Sequence, residues 1–147
     1  MTEKQSIFTT LPEIKERSFA ENETAWAFLT NIPITPGHSL IAPKRVVETA
    51  DDLTEQEILD IFALATVVKE ALRRSFDAEG FNCAWNEGAD YGQSVPHFHL
   101  HIVPRTANDG GITEYEPRQF LYRPGSREAS PEAELADIAS KIRQNIA

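Results

Sequence analysis

The sequence predicts an α+β fold, and three observations carry that expectation. Segments rich in strand formers, broken by Pro, Gly and Asn, crowd the N-terminal part of the chain; one long amphipathic helix interrupts them; a second amphipathic helix closes the chain. Early strands with a covering helix favour a mostly antiparallel sheet, expected here to have five strands. The 147 residues are expected to form one domain, with a core over about 7–105 and a C-terminal extension, 106–147, that ends in the terminal helix.

The elements follow in order. Residues 24–30 read as a strand, and 31–37 as a loop, because Pro33 and Pro36 cannot sit inside a central strand. Residues 38–42 form the next strand, ended by Pro43. Thr54 and Glu57 make a capping-box pattern, and Ile58, Ile61, Phe62, Ala65, Val68 and Leu72 follow at three- and four-residue steps, which predicts a helix over 54–76. Residues 81–86 form a third strand, with Cys83 as a small buried residue in it, and 87–93 a Gly- and Asp-containing loop. Residues 95–103 alternate strictly and read as a fourth strand. Ser130 is expected to cap the final helix with Pro131 at its first position, and Leu135, Ile138, Ile142 and Ile146 give it one apolar stripe.

Composition narrows the function. With 14 basic and 23 acidic residues the net charge is −9, which argues against binding a nucleic-acid polymer but permits a small phosphate ligand held by local groups. A single cysteine, Cys83, rules out an internal disulfide and a multi-cysteine zinc site. No N-terminal signal pattern and no membrane-length apolar run is present, so a soluble cytoplasmic protein is expected.

The histidines carry the chemistry. On a strand, His97, His99 and His101 point to one face, and Phe98, Leu100 and Ile102 to the other, into the core. Three readings of such an imidazole row compete: a solvated or core-satisfied set, a metal site, and phosphoryl or nucleotidyl transfer with one ring as nucleophile. The neighbouring Gly92, Gln93 and Ser94 suit the last, since a glycine lets main-chain amides approach an anion and Ser94 adds a hydroxyl.

The run His97-Phe98-His99-Leu100-His101-Ile102-Val103 strongly resembles the motif of the histidine-triad (HIT) nucleotide-binding and hydrolase family. The resemblance extends through Asn86–Val95 and through Pro36-Gly37-His38-Ser39-Leu40-Ile41-Ala42-Pro43-Lys44, and so covers roughly residues 7–105. It implies an α+β homodimer that cleaves at the α-phosphate of a purine nucleotide conjugate, such as a diadenosine polyphosphate or a nucleoside phosphoramidate. His99 takes the nucleophile's place, with His97, His101 and His38 as supporting histidines. Asn86, Gln93 and Ser94 fall at positions that contact phosphate or leaving group. Ile7, Phe8 and Phe28 fall in the base pocket. Thr30, with Asn31 following, stands where many relatives carry an acidic or amide residue for the ribose hydroxyls. No cofactor is implied, although a divalent cation could accompany a polyphosphate substrate. A nucleotidyl transferase, a nucleotide-binding module with negligible turnover, and a metalloenzyme on a histidine-rich strand are the alternatives. Arg118, Arg123 and Arg127 match no motif and are expected to be solvated or ion-paired.

Overall fold

Alternation along one strand sets the two sides of the molecule. In the computed structural model, which describes residues 5–110 and 128–146, strand β2 (Ala25–Leu29) sends Ala25, Ala27 and Leu29 into one apolar cluster and Phe28 into another. Four further strands join it: β1 (Ser18–Glu21), β3 (Ser39–Pro43), β4 (Gly80–Ala84) and β5 (Leu100–Arg105). Their order is β1-β2-β3-β5-β4, and every neighbouring pair is antiparallel. The α+β class and the five-stranded antiparallel sheet are therefore as expected. Strand β1 and two short helices before it, α1 (Ile7–Thr10) and α2 (Pro12–Arg17), were not anticipated. At four to six residues each they are too short to show a period. Arg118, Arg123 and Arg127 lie outside the described residues.

Helix α3 (Glu55–Phe76) covers the larger cluster. Its capping box forms as read: the Thr54 hydroxyl accepts from the Glu57 amide at 3.1 Å, and the Glu57 carboxylate accepts from the Thr54 amide at 2.8 Å. The buried stripe is Ile61, Leu64, Ala65, Val68, Ala71 and Leu72. Ile58 and Phe62, expected in the core, are instead 42% and 58% exposed. Two apolar stripes run along this helix, and the sheet can cover only one of them.

The terminal helix α4 (Glu132–Gln144) buries Leu135, Ala139 and Ile142, with Ile138 and Ile146 packed from the side. Its N-cap is Pro131, not Ser130, and no side chain caps it. The Ser130 amide donates instead to the Asn31 carbonyl at 2.7 Å, which ties this end of α4 to the loop after β2. Cys83 is exposed rather than buried, because β4 is the sheet's outer strand. No helix among the described residues is long and apolar enough to cross a membrane.

Gly37 joins the loop before β3 to the end of α3. Its φ is +91°, and a Cβ there would sit 2.9 Å from Phe76 Cε2 and 3.2 Å from Leu72 Cδ2. Both the left-handed backbone and the close approach exclude a side chain. Gly37→Ala is expected to destabilise the fold by about 1–3 kcal/mol, seen as a lowered denaturant midpoint at unchanged slope.

Candidate active site

Strand β5 begins at Leu100, so His101 lies in the sheet while His97 and His99 lie in the turn before it. This corrects the expectation of a strand over 95–103. Pro96 has no amide to give a ladder, and the His97 amide closes back onto the Val95 carbonyl at 2.8 Å. The Phe98 amide then reaches the Val47 carbonyl at 2.7 Å, and Phe98, Leu100 and Ile102 enter the core beneath α3. The His97 and His99 rings turn the other way and flank Phe8, at centroid distances of 5.3 and 5.2 Å.

Sheet register brings in the fourth histidine. Leu40 of β3 stands opposite His101 of β5. His38 is two residues before Leu40, hence on the same face and diagonal to His101. Its Nε2 lies 2.9 Å from His101 Nδ1.

Hydrogen-bond partners decide each ring's tautomer. The Ile34 amide donates to His38 Nδ1 at 3.1 Å, so neutral His38 carries its proton on Nε2 and donates to His101 Nδ1. The proton of neutral His101 then sits on its own Nε2. His99 Nδ1 faces the His97 carbonyl at 2.7 Å and must donate to it, which leaves the lone pair on His99 Nε2. His97 Nε2 donates to the Pro43 carbonyl at 2.7 Å, and its buried Nδ1 has no hydrogen-bond partner among the described residues. Burial pulls both His97 and His99 below the ordinary imidazole value near 6.5, against the opposing pull of their carbonyl partners. Both rings are therefore neutral at neutral pH.

A cleft of about 190 Å³ opens beside these rings. His99, His101, Ser94 and Gly92 are among its lining residues. Phe8, Leu11, Ile14, Phe28, Leu40 and Val95 give it apolar walls, with Ile7 at the exposed edge. Thr30 and Asn31 also line it. Of the anticipated site residues, Ile7, Phe8, Phe28, Thr30, Asn31, Ser94, His99 and His101 thus come together at one cleft.

Four others do not line it. His38 and His97 stand behind His101 and His99. Gln93 is buried: its amide donates to the Glu48 carbonyl at 2.7 Å, and its carbonyl accepts from the Gly88 amide at 2.9 Å. Asn86 donates to the Gly92 carbonyl at 3.3 Å. Asn86 and Gln93, which the resemblance places at phosphate or leaving group, bond in this structure to main-chain groups in and beside the 88–94 loop. That loop carries Gly92 at φ +101°, a conformation that turns the chain toward Ser94.

Arg17 and Glu132 are cleft residues that sequence reasoning missed. They lie on α2 and α4, and no local pattern connects them. Among the described residues no group of three His, Cys, Asp or Glu side chains is arranged to hold a metal ion.

Comparison with known proteins agrees with this geometry. The HIT domain model matches residues 11–108. The chain is 37% identical over 106 residues to the asymmetrical bis(5'-nucleosyl)-tetraphosphatase of Schizosaccharomyces pombe, covering 72% of this chain but only 58% of that one. It is 31% identical over 127 residues to the bis(5'-adenosyl)-triphosphatase of Dictyostelium discoideum, covering 85% and 82% of the two chains. A crystal structure of a HIT family protein from Bacillus anthracis superposes with a TM-score of 0.66 at 30% identity, over 99% of this chain and 100% of that one.

The lowered imidazoles make stability depend on pH. Between their folded values and 6.5 the unfolded chain binds more protons than the fold, so stability falls as pH drops below that value and is fully present above it. Urea unfolding of the wild type should show a midpoint that declines from about pH 7.5 to about pH 5.5. His97→Asn should decline less over the same interval; an equal slope in the two proteins would refute the assignment.

Proposed function

The chain belongs to the HIT domain family, and on that premise we propose that it is a dinucleoside polyphosphate hydrolase acting through a nucleotidyl intermediate on His99. The observation that carries this reading is the His99 tautomer: Nδ1–H is held by the His97 carbonyl, so the Nε2 lone pair belongs to a ring that lines the cleft. The names of the Schizosaccharomyces pombe and Dictyostelium discoideum relatives support the substrate class. The apolar walls suit a purine base, and the ring and hydroxyl donors of His101 and Ser94 suit phosphate oxygens.

In the first step His99 Nε2 attacks the α-phosphorus. The P–N bond forms as the bond to the bridging oxygen breaks, and the second nucleotide leaves with the electron pair. His101 Nε2–H stabilises negative charge on the phosphate oxygens by hydrogen bonding, its orientation set by His38. The positive charge that develops on His99 is met by the His97 carbonyl. Water then displaces the imidazole, giving a nucleoside monophosphate and one proton and restoring neutral His99. The chain's own groups supply this chemistry, and a divalent cation enters only as companion of the polyphosphate. We place this activity in the cytoplasm, where the exposed Cys83 thiol would stay reduced.

We also infer a homodimer. Among the described residues, outer strand β4 has one unpaired edge, and beside it stand Trp85, 43% exposed, and a stripe of α3 with Leu59 63% and Phe62 58% exposed. Leu64 and Ala71 of the same helix are buried in the monomer and take no part in this face. Light scattering should give twice the chain mass for the wild type, and Phe62→Glu should give the monomer mass. A wild-type monomer at micromolar concentration would overturn the inference.

The catalytic reading is tested with diadenosine tri- and tetraphosphate and an adenosine phosphoramidate, products being resolved by chromatography. His99→Ala should abolish turnover while nucleotide binding survives. His97→Ala, His101→Ala and His38→Ala should keep activity reduced by about 10²–10³-fold. Acid quench with labelled substrate should trap a nucleotide on the peptide holding His99; a label on His97 or His101 would refute the assignment.

A further inference from the structure

The C-terminal helix brings a carboxylate to the cleft, from outside the family match over 11–108. Glu132, in the first turn of α4, is the one acidic side chain among the described residues that line it. Its placement is built. The Ser130 amide holds the Asn31 carbonyl at 2.7 Å, so the start of α4 lies against the segment that carries Thr30 and Asn31. On the other side Arg17 is buried, with NH1 donating to the Leu29 carbonyl at 3.3 Å and Nε 3.4 Å from Glu132 Oε2. Neither Arg17 Nε nor Glu132 Oε2 makes a hydrogen bond among the described residues, although both atoms are buried. The pair is a charge contact that orients the carboxylate, whose side chain remains 43% exposed.

A carboxylate only accepts hydrogen bonds, so the ligand group it takes is a donor. It would repel phosphate, which sets its neighbourhood apart from that of His99, His101 and Ser94 in the same cleft. Thr30 links the two regions: its amide donates to the His38 carbonyl at 3.2 Å, and it directly follows Leu29, whose carbonyl anchors Arg17. Glu132 thus lines the same cleft as Thr30, Asn31, His99 and His101, with the start of its helix held against Asn31. The part of a nucleotide that joins the phosphate to the base is the sugar, whose vicinal hydroxyls are donors.

We propose that Glu132, positioned by Arg17 and by the Ser130–Asn31 bond, accepts a hydrogen bond from the ribose hydroxyls and makes the site selective for ribonucleotides over deoxyribonucleotides. This rests on the nucleotide reading above and adds to it a specificity residue from the C-terminal helix. The competing role is purely structural, a staple between α2 and α4.

Ligand comparisons within each protein separate the two. Calorimetric titrations use the wild type, Glu132→Ala and Glu132→Gln, each with adenosine monophosphate, its 2'-deoxy and 3'-deoxy forms, and inosine monophosphate. In the wild type, removal of at least one hydroxyl should weaken binding about tenfold, the scale of a charge-assisted hydrogen bond. In Glu132→Ala the same removal should cost less than about twofold, with the deoxy ligand bound as in the wild type. Glu132→Gln keeps an acceptor oxygen and the side chain's size, and should retain part of the discrimination. Lower stability of a variant cancels, because each ratio is taken within one protein.

Equal weakening of all four ligands in Glu132→Ala would overturn the proposal and leave the staple. A change confined to adenine against hypoxanthine would overturn it in favour of a base contact. Hydrolysis of diadenosine triphosphate by the same wild-type sample keeps the two readings apart. Turnover without Glu132-dependent discrimination sinks only this proposal. Discrimination without turnover sinks the hydrolase reading and sustains this one.

Discussion

The hydrogen bond from His99 Nδ1 to the His97 carbonyl, 2.7 Å long, sets the character of the site, and much of the surrounding structure serves to make it. A neutral imidazole has one lone pair, and whichever nitrogen donates loses its use as a nucleophile. Holding Nδ1 on a main-chain carbonyl therefore puts the reactive pair on Nε2. That carbonyl is available because His97 lies in a turn and not in a ladder. Pro96 breaks the pairing ahead of it, and the amides of His97 and Phe98 bond to Val95 and Val47.

The same constraint fits the proposed phosphate-bearing substrate to a chain of net charge −9. The cleft offers a few donors at fixed positions, Ser94, His101 and Arg17 among them, instead of a basic surface. Burial favours the uncharged form of His97 and His99, so the lone pair on His99 Nε2 persists at neutral pH. His38 extends this arrangement by one bond, and it does so through the antiparallel register of β3 and β5. Gly37, pressed against Phe76 and Leu72, ties that register to the long helix.

The sheet thus has two unequal sides. Beneath α3 and α4 it buries the larger core, and most of the stability gained from apolar burial belongs there. The opposite side carries the smaller cluster of Phe8, Ile14, Phe28, Leu40 and Ala42, and there the cleft opens. Helix α4 serves both: Leu135 and Ile142 join the core, while Glu132 reaches the cleft. Chemistry and stability are coupled through the strands that the two sides share, since a shift in β3 or β5 would move the histidines along with the core.

Much of this was legible in the amino-acid order because it depends on short-range periodicity. The α+β class, the capping box at Thr54 and Glu57, and the separation of the triad histidines from Phe98, Leu100 and Ile102 follow from spacing within a few residues. The histidine motif, with the resemblance it carries, marks His99 from sequence alone. Other features needed the fold. Ile58 and Phe62 satisfy the same helical period as Ile61 and Val68, and only the position of the sheet decides which stripe is covered. Asn86 and Gln93 have side chains able to bind phosphate, and only the path of the 88–94 loop turns them onto main-chain groups. Arg17 and Glu132 meet because α2 and α4 converge beside Asn31. No local pattern encodes that meeting, since a contact between distant residues exists only once the intervening chain has folded around a common core.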